Sequence, residues 1–152
     1  MSDSDAFELD ATVVALSAVV GAAVAVATMA ISIPIGLGFL NFGEVVIYTA
    51  AFLFGGVVGG LGGGIGAAVA DVILGFGFYA PITLVAKGIE GYVVGRLAGS
   101  STRSKAIAVA AGAPLMIVAY VIARAYFEGI PAALLNELPM DIVQGVVGCA
   151  IA

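Results

Sequence analysis

The sequence predicts an all-α integral membrane protein of six transmembrane helices, with both termini in the cytoplasm. Three observations carry this prediction. Of 152 residues, 62% are apolar and only 10% are charged, whereas a soluble domain of this size carries about 25% charged residues. The mean hydropathy is +1.22, too little polar surface to cover a globule in water. Long apolar runs alternate with brief polar, glycine or proline breaks, and the few cations gather around one internal linker.

Residues 1–10 read as an acidic cytoplasmic tail in which Asp3, Asp5, Glu8 and Asp10 cluster. Such a run is solvated and is assigned no function. A secretory signal would begin with basic residues, so the first apolar run is expected to be retained. Residues 11–152 read as a single six-helix membrane domain. The first run, Ala11 to Ile33, is long enough to span, and Pro34, Gly36 and Gly38 close it. Ser32 to Gly43 is expected to form a loop. A second helix is expected from Glu44 to Val58, a turn over Gly59 to Gly64, and a third helix from Ile65 to Leu74, with the preceding glycines able to join it. After the break Gly75 to Ala80, a fourth helix starts near Pro81, a residue suited to a first turn, and ends near Ala98. Gly99 to Lys105 is a polar linker, and Ala106 to Tyr126 is the fifth run. Glu128 to Glu137 is expected to be another break. The sixth helix, from Pro139 to Ala152, would then be only about 20 Å long, short of a roughly 30 Å hydrocarbon core, so truncation is expected.

With six spans, the linker bearing Arg103 and Lys105, and Arg96 before it, lies on the side of the N-terminus. The loops of the other side, Ser32–Gly43, Gly75–Ala80 and Phe127–Leu138, hold no lysine or arginine. The excess of cations on cytoplasmic loops therefore places both termini inside, in a multi-pass protein of the cell membrane. Cys149 is the sole cysteine and histidine is absent. A disulfide framework is excluded within one chain, and neither a metal nor another cofactor is expected. No nucleic-acid partner is expected.

On this topology the remaining charges fall in the outer half of the membrane. Glu44 opens helix 2, Asp71 lies near the outer end of helix 3, and Lys87 with Glu90 lies two to three turns into helix 4. Arg124 is in the outer part of helix 5, and Asp141 with Gln144 opens helix 6. Ionisable groups within a span are costly unless paired or hydrated, so they are expected to face the bundle interior. Lys87 and Glu90 share one helical face by their i, i+3 spacing, as do Asp141 and Gln144. Phe39, Phe42, Tyr48, Phe76, Phe78, Tyr79, Tyr120 and Tyr126 populate the same half. The pattern describes an outward-facing pocket for a small planar ligand. Arg124, Glu128, Glu137, Tyr126 and Phe127 read instead as snorkelling charges and an interfacial belt. For Asp71, Lys87 and Glu90 a structural ion pair stands beside ligand contact.

The stretch Phe54 to Gly66 holds many glycines, yet it lacks the Gly-Lys-Ser/Thr of a phosphate loop and any soluble βαβ surroundings. Small residues at four-residue spacing, Gly55/Gly59/Gly63, Gly60/Gly64/Ala68 and Gly91/Gly95/Gly99, instead permit close helix packing. Helix 1 carries two alanine-rich stripes, which include Ala15, Ala23 and Ala27 on one and Ala18 and Ala22 on the other. These could pack internally or dock another membrane protein.

Taken in order, Asn41-Phe42-Gly43-Glu44, the glycine-rich turn, Ala70-Asp71, the run Tyr79 to Gly91 and the closing Leu138 to Gly148 resemble the substrate-binding S component of an energy-coupling factor (ECF) vitamin transporter. The resemblance covers nearly the whole chain. It departs where the usual asparagine of the last motif is Asp141, which bears on the ligand, and where a basic end would follow Ala152. It implies six helices, a vitamin or precursor bound at the extracellular side, and a helix 1–2 loop covering the pocket. It also implies that the small-residue face of helix 1 docks a transmembrane coupling subunit, which two cytoplasmic ATPases serve. This chain would not itself be an enzyme.

The leading expectation is therefore a capture subunit for a small vitamin-like molecule, pyridoxine- or pyrimidine-like, within the lipid bilayer. Glu44, Asp71, Lys87, Glu90, Asp141 and Gln144 are the candidate polar contacts or their support. Phe42 and Tyr79 are candidates for stacking or lid roles. A self-contained channel or secondary transporter is the alternative, but the inner half is almost wholly apolar and no internal repeat is visible. A membrane enzyme using Asp71 and Glu90 has few acid–base options without histidine.

Overall fold

The computed structural model describes residues 10–30, 32–35 and 38–152, with 32–35 and 38–40 described by backbone alone. Asp3, Asp5 and Glu8 of the expected tail, and the ring of Phe39, lie outside the described residues.

Helix α1 (Ala11–Ala30) is followed by a short antiparallel hairpin, β1 (Ser32–Ile35) and β2 (Gly38–Asn41), in which Ser32 pairs with Asn41 and Ile35 with Gly38. The expected loop is thus partly a hairpin, because the ends of the 32–41 segment satisfy each other's backbone groups. Next come α2 (Gly43–Phe54), α3 (Gly56–Ile73), α4 (Ala80–Leu97) and α5 (Thr102–Glu128). The last segment runs from α6 (Ile130–Ala132) through a π-helical turn (Ala133–Glu137) into α7 (Leu138–Ile151).

Two expected boundaries are corrected. The turn between the second and third helices is not at Gly59–Gly64 but at Gly55 alone, whose φ of +85° is open to glycine and strained for other residues. A single such residue reverses the chain, so the glycines after it stay helical and serve packing. The expected break at Glu128–Glu137 likewise shrinks to Gly129, φ +95°. Residues 130–137 are helical, and Ile130–Ile151 forms a 22-residue segment, about 33 Å long. The short sixth helix of the sequence reading is corrected accordingly.

Four helical segments are long and apolar enough to cross a membrane: Ala11–Ala30, Gly56–Ile73, Thr102–Glu128 and Ile130–Ile151. Among the others, α2 has 12 residues, and α4 has 18 but carries Lys87, Glu90 and Arg96. Burial is inverted relative to a soluble protein. Glu44, Lys87, Glu90, Asp141 and Gln144 are buried, while Val19, Leu53, Ile122 and Leu135 are each more than 60% exposed. In water so broad an apolar exterior would drive aggregation; in lipid it is the expected surface.

Helix α3 is the centre of the bundle, packed on α1, α2 and α4, and α4 passes the contact on to α5. Glycine makes this possible. A Cβ at Gly64 would come within 2.6 Å of the Leu84 carbonyl oxygen on α4, and one at Gly60 within 2.8 Å of the Gly88 oxygen. Gly91 and Gly95 return the contact from α4 onto Gly59 and Gly56. Close approach of the two backbones gains dispersion where lipid supplies no hydrophobic drive between helices. The stripes at Gly60/Gly64 and Gly91/Gly95 therefore pack as the sequence expects, whereas Gly55 is a turn residue and Gly99 meets Ser104 in the linker. A further stripe, Gly62 and Gly66, faces Val20 and Gly21 of α1. Helix α1 buries Ser17, Val20, Gly21, Val24, Ala25 and Thr28. Ala15, Ala18, Ala22 and Ala23 of the alanine stripes are left exposed, and Ala27 is half-buried.

Candidate ligand-binding site

The ends of the helices that meet the hairpin, the α3–α4 connection and Gly129 converge at one end of the bundle. Each brings polar residues there: Thr28 from the end of α1, Glu44 from the start of α2, Asp71 from the end of α3, and Thr83 and Lys87 from the first turns of α4. Tyr120 and Arg124 come from the last turns of α5. The π turn and α7 add Asn136, Glu137, Met140, Asp141 and Gln144. These residues line a cavity of about 110 Å³, far above the roughly 10–15 Å³ that one water needs by the same measure.

At the base of this cavity sits a buried ion network. The Lys87 ammonium donates to Glu44 Oε1 and lies 3.6 Å from Glu90 Oε2. Gln144 Nε2 donates to the same Glu44 oxygen at 3.1 Å, and the Tyr48 hydroxyl donates to Glu90 Oε1 at 2.6 Å. Asn41 Nδ2 donates to Gln144 Oε1 at 3.3 Å, while Asn41 Oδ1 accepts from the Gly43 amide at 2.9 Å. The end of the hairpin is thereby tied to α2 and α7. Lys87 also stands 5.4 Å from the centre of the Tyr120 ring. Buried charges persist only when paired and hydrogen-bonded, and this network meets that requirement for Lys87.

A second chain of bonds lies beside it: Thr83 Oγ1 donates to Asp71 Oδ2 at 2.5 Å and accepts from the Tyr120 hydroxyl at 2.8 Å. Thr83→Val is expected to remove both bonds, lower stability by about 1–3 kcal/mol and weaken any ligand held against Asp71. Thermal unfolding in detergent and a binding titration check it. A third cluster pairs Arg124 with Glu128 at 3.1 Å and with Glu137 at 3.6 Å.

Of the residues predicted from sequence, Glu44, Asp71, Tyr79, Lys87, Asp141 and Gln144 line the cavity. Glu90 stands one step behind it, fully buried and bound to Tyr48 and Lys87. Phe42 is half-buried and is not among the cavity's lining residues. Arg124 and Glu137, read as snorkelling charges, are corrected: Arg124 is 7% exposed and both line the cavity. The π turn explains this. The chain stays helical through it into α7. Asn136, Met140 and Gln144 therefore follow one another on one face at i, i+4 spacing with Glu137 and Asp141 beside them, although Asn136 and Glu137 fall within the expected break. Tyr126, by contrast, is 84% exposed, as an interfacial belt residue should be. Phe127 makes edge contacts with Phe78 and Tyr79 at 5.6 Å, forming an aromatic rim. Sequence reasoning missed Thr83, although its i, i+4 relation to Lys87 places it on the Lys87 face. Thr28 and Asn136 carried no signal of their own.

Helical segments fit for a membrane, an apolar exterior and a polar cavity open at one end define a membrane-embedded protein that binds a small molecule within its bundle. Residues 9–152 match the family described as "ECF-type riboflavin transporter, S component", and the chain belongs to that family of ECF S components. A Pyrococcus woesei protein described as "Uncharacterized protein in gap 3'region" is 42% identical over 133 residues, covering 85% of this chain and 88% of that one. The chain is thus a component of a transport system.

Proposed function

We propose that this chain is the substrate-binding subunit of an ECF-type ABC importer, capturing a small vitamin or vitamin precursor from the extracellular side of the plasma membrane. It crosses the membrane six times, with both termini cytoplasmic. The observation that carries the reading is the cavity at one end of the bundle, floored by the Glu44–Lys87–Glu90 network. Beneath that floor α3 and α4 meet through Gly59, Gly60 and Gly91 with backbone against backbone. A cavity at one end of the bundle, above closely packed helices, supports a capture subunit over a self-contained channel. Movement across the membrane then depends on partners: a transmembrane coupling subunit and two cytoplasmic ATPases. The exposed Ala15, Ala18, Ala22 and Ala23 on α1 offer the coupling subunit a smooth surface, with Ala27 at its edge.

Glu44, Asp71, Tyr79, Lys87, Asp141 and Gln144 contact the ligand, Glu90 holds Lys87 in place, and Phe42 acts at the entrance. A single-ring heterocycle of pyridoxine or pyrimidine size suits the cavity, and riboflavin, named in the family description, is the larger candidate. Native mass spectrometry of the purified protein is expected to reveal one small molecule bound per chain. Liposomes holding this chain alone should take up none of it. Uptake without ATPase partners would overturn the reading in favour of a free-standing transporter.

A further inference from the structure

The charges around the cavity do not balance, and at Asp141 the imbalance is buried. Six carboxylates, of Glu44, Asp71, Glu90, Glu128, Glu137 and Asp141, stand against two cations, Lys87 and Arg124. Each cation is already shared between two of them: Lys87 between Glu44 and Glu90, Arg124 between Glu128 and Glu137. That leaves Asp71 and Asp141. Asp71 accepts a hydrogen bond from a neutral hydroxyl, Thr83. Asp141 is 5% exposed, lines the cavity, and its Oδ2 is buried without a hydrogen-bond partner. Glu44 Oε2, 1% exposed at the residue level, is in the same condition on the facing helix α2. The ion pairs that Lys87 and Arg124 make within 4 Å include Glu44, Glu90, Glu128 and Glu137.

An unpartnered carboxylate in a low-dielectric site costs several kcal/mol unless something supplies the missing donors. A cavity whose wall carries more negative than positive groups also concentrates ligands of positive sign. Two aromatic residues, Phe76 and Tyr79, stand in the same wall, and aromatic rings attract cations.

We propose that the ligand of this cavity is cationic: a small planar heterocycle bearing a fixed positive charge or a protonated amine, which it places against Asp141, with Asp71 and Glu44 Oε2 completing the acceptor set. This rests on the capture reading above and names the ligand class for the same site.

The full chain, purified without added vitamins and placed in nanodiscs, is titrated calorimetrically at neutral pH with five probes. Thiamine and pyridoxamine carry positive charge, pyridoxine and riboflavin are neutral, and nicotinate is anionic. The expected result is tightest binding of a positively charged probe. Asp141→Asn should weaken that probe by at least about tenfold and the neutral probes by clearly less, and Asp141→Glu should retain the preference for the cation. If Asp141→Asn fails to fold, Asp71→Asn is read in its place, and the order of the five probes on the unaltered chain decides by itself. Tightest binding of riboflavin, pyridoxine or nicotinate overturns the cationic ligand and leaves the capture reading standing. Equal loss of all probes in Asp141→Asn also overturns it, since that is the mark of a structural residue. If no probe binds and no molecule co-purifies, the capture reading falls and this inference with it.

Discussion

Lys87→Met is expected to destabilise the protein by about 3–5 kcal/mol and to abolish ligand capture. The ammonium is the one positive charge shared by Glu44 and Glu90, which are 1% and 0% exposed. Removing it leaves two carboxylates facing each other in a region where water cannot compensate them. Glu90→Met acts differently. It removes the partner of the Tyr48 hydroxyl, a buried donor on α2, but leaves the Lys87–Glu44 pair in place. Its cost in stability should be smaller, about 1–3 kcal/mol for the orphaned hydroxyl, and its ligand affinity only partly reduced. The two variants are therefore ranked, and a thermal-unfolding series in detergent with a parallel binding titration reads the ranking. Equal, near-zero effects would mean that the network neither holds the bundle nor contacts the ligand. The double variant Lys87→Met/Glu44→Met should recover part of the loss, because it removes one of the two carboxylates left unpaired, while Glu90 stays without its cation.

The second large effect is expected at the helix interface below the site. Gly91→Ala puts a methyl group onto the backbone of Gly59 and Gly60 on α3. Backbone atoms cannot rotate away as a side chain can, so the helices must separate, at a cost of about 1–3 kcal/mol or more. Gly88→Ala is the matched control one turn away on the same helix. Its added Cβ would lie 3.7 Å from the Gly60 oxygen, ordinary van der Waals contact. Alanine's better helix propensity, worth about 1 kcal/mol, should make that change neutral or stabilising. Both substitutions add one methyl group to a glycine of α4, so the difference between them isolates helix–helix distance from local propensity. Because α4 carries Thr83, Lys87 and Glu90, a shift of α4 against α3 also moves the cavity floor, and Gly91→Ala should weaken ligand binding as well as folding.

Much of the site was legible because charge in an apolar sequence is conspicuous. Glu44, Asp71, Lys87, Asp141 and Gln144 had to face inward, since nothing else makes them tolerable in lipid. Arg124 and Glu137 escaped the same reasoning because they lie next to what looks like a polar break. Only the helical path through the π turn reveals that Glu137 points to the cavity and that Arg124 is buried beside it.

What the sequence by itself determined is the class and the plan: hydropathy and the paucity of charge dictate helices in lipid, and glycine at four-residue spacing dictates close packing. Those are local properties, readable within a turn or two of chain. What only the tertiary structure decided is which groups meet. Lys87 has Glu90 three residues away, yet its ammonium donates to Glu44, 43 residues distant, and Gln144 joins that carboxylate from 100 residues away. Gly62 and Gly66 turn to α1, while Gly60 and Gly64 turn to α4. Such choices depend on how each helix is rotated about its axis and on which neighbour it leans against. That rotation is fixed by the fit of all the helices at once, and no local periodicity encodes it.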